Sequence, residues 1–321
     1  MRIAKGSRAG ITRGDVVAML AVATLLLIVG LPTLNQLRIR AQRTTCQEHQ
    51  RRLTYAVLRY ESDHGHFPGY RNLQAVGADG ARQPTGWVFP LLRYLAEQPK
   101  TPGGGEKSTN EPPPVDPNDP RVQIFAAHGT GGPDETRGLV PQVFIAGLLC
   151  PSDAREVGDD IDPQSTSTSY VVNTGLPDER RRALGLEKHQ MDGVFFDRFA
   201  DGDFPDVSAS LLRKRGQLDS TLLLSENVDA GQWTDYDEPL VGFVWLPQTA
   251  PGEAPSDDVL LPINRQRGQG DGTYRFARPS SLHTGGVNVI YCDGHGDFLY
   301  EEIDYSVFCR LMSPDDSLID R

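Results

Sequence analysis

The chain carries little that speaks for catalysis. It has no G-x-S-x-G elbow, no H-E-x-x-H pair, no G-x-x-x-x-G-K phosphate loop and no dinucleotide fingerprint. Basic residues are also in short supply: 32 Lys and Arg face 43 Asp and Glu, for a formal net charge of −11. No Lys/Arg patch interleaved with aromatics offsets that balance, which argues against nucleic-acid binding. Cysteine is scarce, with four residues: Cys46, Cys150, Cys292 and Cys309. None stands in a C-x-x-C pair, so zinc-ribbon and thioredoxin-like roles are disfavoured. An even number in an oxidising exported compartment permits one or two bridges. The pairing stays open, and buried free thiols are the alternative. Long apolar runs are missing too, except for one.

That run, Val16 to Leu37, contains no charged residue and follows a leader bearing Arg2, Lys5 and Arg8. At ~1.5 Å per residue it can cross an apolar bilayer core of about 30 Å. No A-x-A-like site follows it, so it reads as a retained anchor rather than a cleaved secretory signal. The basic leader predicts a single pass through the inner (cytoplasmic) membrane, with a cytoplasmic N-terminus and the rest periplasmic or at the cell surface. Arg38, Arg40 and Arg43, just beyond the run, pull against that rule.

Gly10-Ile11-Thr12-Arg13-Gly14-Asp15 leads into the run. It resembles the type III leader of type IV pilins and pseudopilins, which a prepilin peptidase cuts after the glycine and methylates at the new N-terminus. The resemblance implies cleavage after Gly10, methylation at Ile11, an assembly role for Asp15 and a helix kink at Pro32. Asp15 stands where that family carries Glu, and Arg13 and Gly14 replace apolar residues. A carboxylate at the rim of an apolar helix needs a positive partner. The α-amine of a neighbouring subunit would serve; headgroups, the helix N-terminus or Arg13 are the alternatives.

The helix is expected to continue to about residue 63. No Pro or Gly interrupts Arg38 to Asp63, and Leu53, Ala56, Val57 and Tyr60 follow the spacing of one buried face. Gly65 and Pro68 mark its end. A bond from Cys46 would fasten this helix to the remainder. The organisation predicted is a leader over 1–10, a long helix over 11–63 (transmembrane about 16–37) and an exported head over 64–321. In the head, strand-like runs fall at Val143–Leu149, Ser169–Val172, Gly193–Phe196, Thr221–Ser225, Leu240–Leu246 and Gly286–Tyr291. Long helical patterns are scarce after Asp63, the best being Trp87–Leu95 and Ser208–Arg215. The Pro/Gly-rich stretch 98–120 reads as a mobile loop, and His128–Gly138, Pro247–Asp258 and Arg265–Gly272 look similar. The fold class is therefore α+β: a long helix on a mainly antiparallel sheet with long loop insertions.

Near the C-terminus, His283 is followed after nine residues by Asp293-Gly294. Further motifs precede it in order: His66-Phe67-Pro68, Trp87-Val88-Phe89-Pro90, Cys150-Pro151-Ser152-Asp153, Ser169-Tyr170 and Leu224-Ser225-Glu226. Together they resemble the DUF1559 family, prepilin-like proteins abundant in planctomycetes and marked by an H-X9-DG element. The resemblance covers nearly the whole chain and implies a pilin-like plan.

A strand between His283 and Asp293 would span roughly 23 Å at ~3.3 Å per residue, so the two cannot touch. Val287, Val289 and Tyr291 would face one side, Asn288, Ile290 and Cys292 the other. His283 is expected to satisfy buried carbonyls, and Asp293-Gly294 to shape a turn. Asp293, His295 and Asp297 are weak metal candidates, as is the calcium-like Asp201-Gly202-Asp203 with Asp206, though neither has EF-hand spacing. No other cofactor is implied. His64 and His66 are expected to cap helix carbonyls, and Glu226 to be a surface or hydrogen-bonding residue rather than an acid catalyst. The function these observations predict is a non-enzymatic pilin- or pseudopilin-like subunit of a type IV pilus-like or secretion-linked assembly. Its partners would be the membrane, prepilin peptidase and other pilin-like subunits. The rivals are an anchored module binding a polysaccharide or protein, and an anchored metal-dependent hydrolase.

Overall fold

A computed structural model describes residues 13–76, 81–96, 145–153, 167–183, 185, 191–199, 205–246, 263–264 and 272–315. The loops expected at 98–120, 128–138 and 247–258 lie outside them, as do Gly10, Ile11 and Asp201–Asp203. The chain divides into two compact units, Met1–Gln42 and Arg43–Arg321.

Helix α1 spans Arg13–His64, with Asp15 in its first turn. Within the first unit its apolar side chains stand open: Val17, Leu20, Leu26 and Leu34 are 62–67 % exposed. Among the described residues no helix is long and apolar enough to cross a membrane. Side chains at 18, 29–32 and 35, inside the apolar run and including Pro32, fall outside that set.

In the second unit α1 turns one face inward. Cys46, Gln50, Leu53, Ala56, Val57 and Tyr60 are buried at the spacing of successive helical turns. Each fully buried aliphatic side chain there contributes about 1.5–3 kcal/mol. The helix stops where Gly65 adopts φ +77°, a left-handed conformation that glycine takes without strain. The His64 ring stacks on Tyr60 and hydrogen-bonds the Tyr60 carbonyl at 2.9 Å.

The receiving surface is a five-stranded sheet of β3 (Tyr170–Gly175), β4 (Leu222–Glu226), β5 (Gly242–Val244), β6 (Gly286–Tyr291) and β7 (Gly296–Tyr300), in the order β5-β3-β4-β6-β7. All neighbours are antiparallel except β3 and β5. The architecture is α+β and pilin-like, a long N-terminal helix packed on a mostly antiparallel sheet. A separate hairpin, β1 (Arg71–Val76) with β2 (Ala81–Gly86), precedes it.

The alternation expected on β6 holds. Val287, Val289 and Tyr291 enter one apolar layer, while Ile290 and Cys292 enter the layer under α1. The first layer also contains Phe308, Cys309 and Met312 of the C-terminal helix Tyr305–Met312. Helix Ala209–Arg215 is capped by the Ser208 side chain, which accepts from Leu211 N, and ends at a left-handed Gly216.

Two expected strands are absent. Val143–Leu149 contains a 3-10 turn at Ala146–Leu148 in its described part. Gly193–Phe196 is a buried loop whose Val194 and Phe195 amides both donate to the Asn173 carbonyl. Trp87–Leu95 divides into a 3-10 turn, Phe89–Leu91, and α2, Leu92–Ala96.

Candidate functional site

The motifs that carry Cys150, Asp153, Ser169, Glu226 and His283 converge at one end of the sheet, beneath α1. Cys150 ends the segment after the Ala146–Leu148 turn, and its amide donates to Ser169 Oγ at 3.1 Å. Ser169 Oγ in turn donates to Asp153 Oδ2 at 2.7 Å, and the Asp153 amide closes back on the Cys150 carbonyl. The Cys-Pro-Ser-Asp motif is thus a turn locked to the residue preceding β3. Its product is a fixed Cys150 sulfur, bonded to Cys46 of α1 across 104 residues. One of the candidate bridges is therefore formed, and it fastens the helix to the head.

The second pair of candidates does not join. Cys292 lies in the layer under α1 and Cys309 in the opposite layer, and both are buried free thiols. Burial pushes the Cys292 thiol well up and Cys309 up to about 11, so neither is a ready nucleophile.

Glu226, the last residue of β4, is 1 % exposed. Its Oε2 accepts from the Asn288 amide at 2.8 Å and from Asn288 Nδ2 at 3.1 Å. Its Oε1 lies 3.1 Å from His283 Nε2, which is also 3.4 Å from Cys150 Sγ. This corrects the expected role of His283: it meets a buried carboxylate rather than carbonyls. The His283 amide donates to Ser281 Oγ, whose hydroxyl donates to the Gly286 carbonyl, holding the imidazole at the entrance to β6. Gln50 Nε2 of α1 donates to the Asn288 carbonyl at 3.0 Å, tying helix, β4 and β6 into one polar network.

Asp293 stands at the far end of β6, as strand length requires. The Asp293 Oδ1 accepts from the His295 amide at 2.9 Å and lies 2.6 Å from His295 Nδ1. Gly294, at φ +93°, closes a three-residue hairpin loop between the paired Tyr291 and His295. Asp297 Oδ1 accepts from the Phe298 amide. Asp293, His295 and Asp297 do not gather their ligand atoms in one shell. Among the described residues, the group that does is Cys46, Cys150, Glu226 and His283, all within 4.8 Å of one another. Asp206 of the calcium-like run binds Arg198 at 2.8 Å.

A second polar region surrounds a cavity of about 480 Å³ lined by Tyr70, Arg71, Asp178, Asp197, Glu238 and Tyr274. Tyr70 Oη donates to Asp178 Oδ2, and Tyr274 Oη donates to Glu238 Oε2, each at 2.6 Å. Burial raises both carboxyl groups, and the nearby Asp178 charge adds to the shift at Glu238, pushed up to about 8. No sequence pattern announced this cavity, because its walls come from separate segments scattered between Tyr70 and Tyr274.

The fold and the motif cluster define a pilin-like protein with a disulfide-fastened helix. Residues 36–306 match the family described as "Protein of unknown function (DUF1559)", and the chain belongs to that family. No curated protein and no solved structure matches the chain.

Proposed function

We propose that the protein is a non-enzymatic, pilin-like subunit or minor component of a type IV pilus-like or secretion-linked assembly. It is anchored by the first part of α1 in the cytoplasmic membrane, with the head outside. The observation that carries this reading is the exposed apolar surface of α1 ahead of a well-packed head. Val17, Leu20, Leu26 and Leu34 each leave more than 60 % of their surface open, and the run from Val16 to Leu37 has no charge to solvate it. A helix apolar on all sides requires lipid or other helices around it. Prepilin peptidase would cut after Gly10 and methylate Ile11, and Asp15 would pair with the α-amine of a neighbouring subunit. Replacement of apolar residues by Arg13 and Gly14 favours a minor component over the main polymer. The test is alkaline extraction of native membranes together with in-membrane cross-linking. The protein should resist extraction, and Asp15→Ala should lose cross-links to pilin-like subunits while staying in the membrane. Unchanged cross-links would remove the pairing role of Asp15.

The second reading, an anchored binding module, is favoured by the tyrosine- and carboxyl-lined cavity beside Glu238. Its walls offer hydroxyl, carboxyl and guanidinium groups together, the complement of a hydroxyl-rich glycan. Glycan-array binding abolished by Tyr70→Phe, with assembly intact, would move this reading to first place.

A further inference from the structure

We infer that reduction of the Cys46–Cys150 disulfide opens a buried four-ligand site for zinc, formed by Cys46 Sγ, Cys150 Sγ, His283 Nε2 and Glu226 Oε1. This inference does not depend on whether the chain joins an assembly.

The geometry already approaches the required shell. Zinc takes thiolates at about 2.3 Å and imidazole or carboxylate ligands at about 2.0–2.2 Å, so ligand atoms lie about 3.3–3.8 Å apart around a tetrahedron. His283 Nε2 stands 3.4 Å from Cys150 Sγ and 3.1 Å from Glu226 Oε1, and all four donor atoms fall within 4.8 Å of one another. The sulfurs, now bonded to each other, must part, and the remaining donor pairs, held within 4.8 Å, must settle to those spacings. A cavity of about 10 Å³ is lined by two of the four, Cys150 and Glu226. The supporting shell is also in place. Asn288 holds Glu226 Oε2 through its amide and Nδ2, which leaves Oε1 to point at the metal. Ser281 and Ser169 anchor the backbones of His283 and Cys150. Such partners fix ligand orientation and raise affinity.

A small dithiol reductant attacks the disulfide by thiol–disulfide exchange and leaves as its own cyclic disulfide. Two electrons and two protons thereby pass to Cys46 and Cys150, giving two thiols. On zinc binding those thiol protons go to solvent, and the His283 ring carries its proton on Nδ1 so that Nε2 offers a lone pair. Two thiolates, one carboxylate and Zn²⁺ leave a net charge of −1, opposed by the two Asn288 hydrogen bonds. In the oxidised state His283 Nε2 instead donates to Glu226. The same four side chains fasten α1 to the sheet in either redox state, covalently or through metal.

The test uses the full chain in detergent, reduced anaerobically, freed of reductant and titrated with Co²⁺ as a spectroscopic stand-in for zinc. Reduced protein should bind one equivalent with the visible bands of tetrahedral, thiolate-ligated cobalt, and zinc should erase them. Oxidised protein should show none. His283→Ala and Glu226→Gln should each weaken binding by at least about tenfold. A Cys292→Ser/Cys309→Ser variant should bind like wild type, as should the reduced protein after brief exposure to EDTA and reloading. Reduced wild-type protein without the bands would overturn the proposal. So would equal bands in Cys46→Ser/Cys150→Ser. Should that variant fail to fold, undiminished binding in His283→Ala or loss of binding in the Cys292/Cys309 variant would overturn it equally.

Discussion

Glu226 shows how a single residue can hold the ends of several elements. Its sequence context marks it as a surface or hydrogen-bonding acid at a strand end, and burial in the structure selects the second. Its partner His283 was not legible, since 57 residues separate them and only the β4–β6 pairing brings them together. Removing one member of a buried polar pair leaves the other desolvated and unmatched. His283→Leu should therefore destabilise the head by about 3–5 kcal/mol, and Glu226→Gln, which keeps a group facing Asn288, by less. Chemical unfolding of the full chain in detergent measures both. Glu238 makes a pH prediction. Burial and Asp178 raise it from 4.5 to about 8, so over that window the folded chain retains a proton that the unfolded chain has released. Stability is full below the lower value and falls as pH rises through the upper one. Thermal unfolding followed from pH about 5 to about 9 should show that decline, and Glu238→Gln should flatten it.

Elements were legible where their signal is local. Strand β6 is legible to both ends, because period-2 alternation runs along it and the Gly285-Gly286 and Asp293-Gly294 turns bound it. The buried face of α1 was read for the same reason. Hairpin β1–β2 was missed: Arg71, Asn72, Gln74, Arg82, Gln83 and Pro84 give it neither alternation nor β-propensity. Gly193–Phe196 misled in the other direction. Its apolar residues are buried by surrounding elements, and its amides go to one carbonyl of β3 rather than to a ladder. At this scale the face of α1 is directly testable. Leu53→Ala should cost about 2–5 kcal/mol, whereas Tyr55→Ala, on the open side, should stay within about 0.5 kcal/mol. The Cys46–Cys150 bond closes a long loop, so Cys46→Ala/Cys150→Ala under oxidising conditions should cost about 2–5 kcal/mol. Reductant should lower the stability of wild type towards that of the variant when metal is withheld.

For the whole molecule, the two units have opposite surface chemistry. Residues from Arg43 onward close around two apolar layers on either side of one sheet. The N-terminal part of α1 leaves its apolar side chains uncovered. The family and the pilin-like plan were readable from motifs scattered along the chain. The partner of Cys46 and the four-residue cluster were not, because they depend on contacts across 57 to 133 residues. Maturation of the chain as a prepilin-like membrane subunit turns on what becomes of Gly10 and Ile11. Mass spectrometry of the mature N-terminus, taken from native membranes, tests it most directly. N-methylated Ile11 is expected as the first residue; an intact Met1 would overturn prepilin-like maturation and leave the N-terminal helix as an anchor for a binding module.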